Sequence, residues 1–454
     1  MLPVARYLII VPIFLLAQLS RAQAPVIEPP KFSFPNYTNS TSLQQLKTAT
    51  ITSNWAFSQI YKDIQSRNQA IVHQDLKEYQ QRTTPTKADE IIADAVSSFR
   101  SGSSIAYELP RRSPEERQSF EQAFSELSNM LSGKHPMDLK RAVFLSEHAF
   151  DPSITWDEFN AVISDMVTHL GYKMQNESID PNDHLSKNLS LFQFFTDTLR
   201  VKHPGLEQPV VSYPMLYDFD DFWGHQDYRN TFVSKLMKTG SGQCHSLPLL
   251  YLILAEQTNT PAHLAFSPSH SYIKIQDNKG QWHNLELTNG MFTTDQYLMY
   301  SGFIKAEALA NQLYLQPLTK KQVIAQVLND LAISYTQKFG YDDFVPKCTF
   351  LANYHGLKSM TIHKLNHNYF NTRLQYIIQQ YEQAGLTPED FKKDPEAMAV
   401  YNSFIGAQKH IRTLGYAEMP PEQYQQWLES VQQESRKQEH RNTMRSLMGT
   451  VGNN

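Results

Sequence analysis

The chain has 454 residues, long enough to bury a sizeable core, with 41% apolar and 19% charged side chains and a formal net charge of -4. A mildly acidic balance without a basic cluster argues against a nucleic-acid partner, which asks for a basic face. Two cysteines in this length exclude a disulfide scaffold.

In chain order, residues 1–22 carry Arg6, an apolar stretch from Tyr7 to Leu19, and Ser20-Arg21-Ala22 ahead of Gln23. The stretch contains Pro12, is too short to span a bilayer comfortably and ends in small residues, so it reads as a signal peptide cut before Gln23. The expectation is an exported bacterial protein, periplasmic or extracellular, with no stable membrane span after cleavage. Asn-x-Ser/Thr sequons at Asn36, Asn39, Asn176 and Asn188 would matter only in a eukaryotic host.

Residues 23–42, rich in Pro, Asn, Ser and Thr, read as an extended leader. Residues 43–135 read as an N-terminal helical region, with helices over 42–81, 87–99 and Pro114 to Leu131; Ser113 and Pro114 supply a cap and a first-turn proline for the last. Residues 136–317 hold the core. Its helices are expected from Met137 to Ala149, after Thr155 with Glu158 three residues on, and from Asn188 to Arg200. The aromatic residues Trp55, Trp156 and Trp427 read as core.

A loop from Tyr213 to Tyr228 alternates aromatics with acids, and its Trp223 is a candidate wall or lid of a cleft. Then comes Gly240-Ser241-Gly242-Gln243-Cys244-His245, followed by the apolar run Leu247 to Leu254. A glycine turn that delivers a cysteine onto the first turn of a buried helix aims free backbone N–H groups at the sulfur, which favours thiolate. Next, His270 opens an alternating strand to Ile275, a turn follows at Asp277 to Gly280, and Gln281 to Gly290 reads as a second strand that carries Trp282 and Glu286 and ends in another turn. Such a hairpin brings an imidazole and a carboxylate within reach of one another. His245, His263 and His283 have no metal-site spacing and read as wall or surface residues, so no metal or cofactor is implied.

From about residue 318 to 454 the composition is helical again. Leu331 and Tyr335 recur as Leu365 and Tyr369, the 34-residue offset of a tetratricopeptide-like helical hairpin. Cys348 lies in a helical segment of this region.

Gly242, Cys244, Pro261, Ala262, His270, Trp282 and Glu286, in this order and spacing, resemble the transglutaminase-like superfamily, which shares the papain-like cysteine-enzyme fold. Glu286 stands where that family usually has Asp, and His263 where it has Arg. The segments from Asp138 to Asp151, after Asn188 and after Tyr228 resemble the bacterial SirB-like branch, in which such a core precedes tetratricopeptide-like helices. The resemblance implies an α+β, predominantly helical fold: a helix packed on a small antiparallel sheet, flanked by N-terminal helices and C-terminal helical hairpins.

It also implies a Cys244–His270–Glu286 triad for acyl transfer or hydrolysis at amide bonds of peptides or proteins. Gln243, Trp223 and Trp282 are candidates for substrate or oxyanion binding, and Asn289 is the other candidate orienter of His270. The alternative is a non-catalytic peptide-binding or scaffold protein of the cell envelope that uses the same cleft and the helical repeats.

Overall fold

The computed structural model describes residues 105–416, apart from 220 and 303, and a few positions between 425 and 436. The expected signal peptide, the leader, the helices before residue 105 with Trp55, and Trp427 lie outside the described residues. The fold is mostly helical with small sheets.

The helices start where side chains can cap them. Helix α1 (Pro114–Ser132) opens on Ser113, whose hydroxyl accepts the Glu116 N–H while the Glu116 carboxylate accepts the Ser113 N–H. Helix α2 (Leu139–Phe150) is capped by Asp138, and helix α3 (Trp156–Asn176) by Thr155. Helix α4 (His184–Thr196) begins four residues earlier than periodicity suggests, because Asp183 takes the Ser186 N–H. It stops before Arg200, and Leu199–Val201 is instead strand β1, antiparallel to β2 (Val210–Ser212). Asn188 is fully buried and donates to the His184 and Pro261 carbonyls, so its sequon is closed in the folded protein.

A two-residue parallel pair, β3 (Leu216–Tyr217) with β4 (Ser241–Gly242), leads into the centre of the molecule. Between them lies helix α5 (Val233–Thr239), ended by Gly240 in the left-handed conformation (φ 67°). Helix α6 (Ser246–Gln257) has every side chain from Ser246 to Ala255 buried, as expected of a helix apolar all round. It packs against α2, α3, α4 and α5 and against the sheet that follows. Each of its fully buried Leu and Ile side chains contributes about 2 kcal/mol.

That sheet is an antiparallel meander, β5 (His263–Ser267), β6 (His270–Gln276), β7 (Trp282–Glu286) and β8 (Met291–Thr293), in sequential order. Pro268 and Ser269, the latter at φ 56°, make the two-residue turn from β5 to β6. Two short helices follow, α7 (Asp295–Ser301) and α8 (Ala306–Ala310).

The C-terminal part begins with α9 (Lys320–Phe339), capped by Thr319 with Gln322, and α10 (Phe344–Tyr354) packed on it. Next come α11 (Met360–Gln383), α12 (Pro388–Lys393) and α13 (Pro395–Thr413), with α11 paired to α13. Leu331, Tyr335, Leu365 and Tyr369 are all buried. Helix α9 also packs on α1 and α2, so residues on both sides of position 318 share one core with α6. Among the described residues no helix is long and apolar enough to cross a membrane.

Gly242 occupies the tightest point of the entry to α6. A Cβ there would lie 2.7 Å from Ser246 Oγ and 2.9 Å from Leu236 Cδ1. Gly242→Ala should therefore destabilise the protein by about 1–3 kcal/mol through overpacking. Denaturant unfolding measures this, and a change below experimental error would mean that the turn relaxes freely.

Candidate active site

Cys244 sits where α6 begins, and a proline decides how. Gln243 O accepts the Leu247 N–H at 3.0 Å and His245 O accepts that of Leu249 at 3.3 Å, so the helical bonding starts at residue 243. The bond between these two would come from residue 248, but Pro248 has no N–H. The Cys244 carbonyl accepts instead from the Ser271 hydroxyl, one residue beyond the start of β6. The cysteine turn and the histidine strand are thereby tied directly together. Ser246 Oγ accepts the Gln243 N–H at 3.0 Å and completes the turn.

His270 is buried at the start of β6. Its Nε2 lies 2.5 Å from Glu286 Oε2, which leaves Nδ1 as the nitrogen on the ring's other edge, and the Cys244 side chain is near enough to influence the ring's charge. The register between β6 and β7 pairs Ile273 with Leu285, so Glu286 is a diagonal rather than a direct neighbour of His270. A diagonal partner has further to reach, and the longer side chain of Glu meets that distance. The other carboxylate oxygen, Oε1, accepts from Thr288 Oγ1 at 2.8 Å and Thr288 N at 3.2 Å. Asn289 does not turn to the histidine; its Oδ1 accepts the Met291 N–H.

Burial alone would lower the pKa of His270. The Glu286 charge, the nearby Cys244 side chain and the hydrogen bond to Glu286 outweigh it and push the value up to about 10. Glu286 is correspondingly lowered: burial opposes its charge, but His270 and Thr288 prevail. The surroundings therefore favour the charged ring, with the Cys244 side chain on one edge and a carboxylate on the other.

The loop ahead of the cysteine is organised by Asp221, a residue that alternation alone did not distinguish from its neighbours. Its buried carboxylate accepts from the backbone N–H groups of His225, Gln226 and Asp227 and from Asn230 Nδ2. Burial opposes ionisation, yet these four donors hold its pKa down at about 2. Gln243, 1% exposed, donates from Nε2 to the Asp221 carbonyl at 2.6 Å. Its side-chain amide thus fastens this loop to the cysteine turn.

A cleft of about 270 Å³ opens in front of the sulfur. Gln243, Cys244, His270 and Trp223 all line it, and Cys244 is partly accessible. Trp282 does not; it lies at the opposite end of β7 from Glu286, with its ring 5.3 Å from that of His263. The expectation that Trp282 borders the cleft is therefore corrected: four strand residues carry it away from the histidine. Residues of the C-terminal helices complete the lining, among them Gln326, Asp330, Met360 and Lys364.

Of the other histidines, His245 faces Asp330, His263 meets the Leu318 carbonyl and His283 meets Asp277. No group of three or more His, Cys, Asp or Glu among the described residues could hold a metal ion. Both cysteines are free, and Cys348 is fully buried, with burial raising its pKa well above the usual thiol value.

Residues 215–329 match the family model of the transglutaminase-like superfamily. The match covers Cys244, His270 and Glu286 and ends within α9, just before Asp330. No curated protein and no solved structure gives a significant match. The transglutaminase-like domain thus supplies the cysteine, histidine and acid, while part of the cleft wall comes from residues beyond it.

The His270–Glu286 pair makes stability depend on pH in a defined direction. His270 is raised in the folded state, so its contribution is complete below its unfolded value of 6.5 and is lost as pH rises towards 10. Glu286→Gln should cost about 3 kcal/mol near pH 6, because it leaves a buried charge without its partner. The difference from wild type should shrink between pH 6.5 and 10. Urea unfolding across that range measures it, and a pH-independent difference would mean that the carboxylate does not hold the ring charged.

Proposed function

We propose that this protein is an exported cysteine enzyme that transfers or hydrolyses acyl groups at amide bonds of peptides or proteins. The observation that carries the reading is His270 held between Cys244 and Glu286 at the wall of an open cleft. A cation beside the sulfur stabilises negative charge on it, and a carboxylate behind the ring fixes which nitrogen faces the thiol. Cys244 Sγ attacks the carbonyl carbon and a C–S bond forms. His270 gives its proton to the departing amine as the C–N bond breaks, leaving a thioester. Water or an amine then attacks, passing a proton to His270 as the C–S bond breaks.

Negative charge develops on the substrate oxygen in each addition. The backbone N–H of Cys244, at the start of α6, is our candidate first donor to it. We assign Gln243 a positioning role, since its amide holds the loop that carries Trp223. Residues 1–22 support export, and the upstream segments and C-terminal helical pairs support placement near the SirB-like branch with tetratricopeptide-like hairpins. The alternative, a peptide binder of the cell envelope using the same cleft, draws support from the share of that cleft built by α9, α11 and Tyr416.

Iodoacetamide separates the two. At pH 7 Cys244 should be alkylated about 100-fold faster than buried Cys348, and His270→Ala should slow Cys244 at least tenfold. Peptide mapping by mass spectrometry reads both rates. Slow alkylation of Cys244, unaffected by His270→Ala, would leave only the binding module.

A further inference from the structure

The cleft has a second polar cluster that the proposed chemistry does not use. Helix α9 contributes Gln326 and Asp330, four residues apart and so on one helical face, to the same lining as Cys244. Gln326 Nε2 donates to Asp330 Oδ1 at 2.7 Å, which sets the orientation of the amide and leaves Gln326 Oε1 as an acceptor. Gln326 is 5% exposed and Asp330 9%, and neither Gln326 Oε1 nor Asp330 Oδ2 has a hydrogen-bond partner among the described residues.

The ring of His245 faces Asp330 Oδ2 at 3.4 Å, too long for a good hydrogen bond. Behind Asp330 a void of about 20 Å³ is lined also by Glu147, Tyr228 and Ser334. Glu147 is buried, and its carboxylate takes the backbone N–H groups of Val233 and Ser234. Among the described residues no lysine or arginine pairs with either carboxylate. Burial raises the pKa of Asp330, as expected for a carboxylate whose charge is incompletely compensated.

Two buried acceptors side by side, one of them a carboxylate oxygen with no hydrogen-bond partner among the described residues, suit a cationic donor with several N–H groups. A primary ammonium has three. Phe222, Trp223 and Tyr228 border the same cleft and offer aromatic faces that suit a cation. Two further basic side chains stand in the lining: His270, which pairs with Glu286, and Lys364, whose Nζ lies 4.1 Å from the centroid of the Tyr416 ring.

We propose that Asp330 and Gln326 form a recognition subsite for a primary ammonium group of the substrate, in the cleft that holds the Cys244 sulfur. The proposal rests on the reading of that cleft as a substrate site and names the substrate feature it selects.

Three small thiol reagents test it on the full chain: cationic 2-aminoethyl, neutral methyl and anionic 2-sulfonatoethyl methanethiosulfonate. In Asp330→Asn, which keeps an acceptor for Gln326, the ratio of the cationic to the neutral rate at Cys244 should fall roughly tenfold, the size expected of a lost charge-assisted hydrogen bond. The neutral rate should stay within about twofold, since the substitution leaves the sulfur and His270 in place. The anionic reagent should gain or stay level. An unchanged cationic-to-neutral ratio overturns the subsite.

Slow labelling of Cys244 by all three reagents overturns the nucleophile instead, and the subsite is then decided by melting temperature. In that arm n-pentylamine should raise the Tm of wild type but not of Asp330→Asn, and 1-pentanol should raise neither. Equal shifts in both proteins, or none in either, would overturn the proposal.

Discussion

The Ser271 hydroxyl on the Cys244 carbonyl is the contact on which the site depends. It exists because Pro248 removes the N–H that would otherwise occupy that carbonyl, so a gap in the helix becomes a link to the sheet. One end of the link is fixed by α6, buried from Ser246 to Ala255 and unable to slide without exposing apolar surface. The other end is fixed by β6, paired on both sides by β5 and β7. A nucleophile candidate and an imidazole from separate elements are thus held in one geometry before any ligand arrives.

Around this link, similar carboxylic acids are set to different states by their surroundings. Asp221 takes four donors and stays ionised, acting as a loop organiser. Glu286 has a histidine on one oxygen and Thr288 on the other and is also held ionised. Asp330 and Glu147 lie where burial outweighs the few donors they have, and both are raised, Glu147 to about 7. Compensation by donors, more than burial itself, separates the two pairs. The compensated acids build the site, and an undercompensated one borders the cleft as a place where a cation is favoured.

The C-terminal helices are part of the site and not an appendage to it. Helix α9 packs on α1 and α2 within the same core as α6, and α11 and Tyr416 add further lining to the cleft. A change of register in α9 would move Gln326 and Asp330 relative to the sulfur, so packing in this region bears directly on what the cleft accepts.

Much of the local structure was legible in the sequence. Ser113 with Glu116 and Thr155 with Glu158 announced their helices, the glycine turn announced the placing of Cys244, and the alternation after His270 announced the hairpin. These signals are local, because capping, turn conformation and strand periodicity each involve residues a few positions apart. The short pairs β1–β2 and β3–β4 left no such pattern, being too short for periodicity to register. Nor could the sequence rank Asp221 above its acidic neighbours, exclude Trp282 from the cleft, or bring Asp330 to it from 86 positions beyond Cys244. By itself, then, the sequence determined which residues cap, turn and alternate. Only the tertiary structure decided which buried acids acquire donors and which side chains face the sulfur, because desolvation and long-range hydrogen bonds depend on neighbours that chain order does not name.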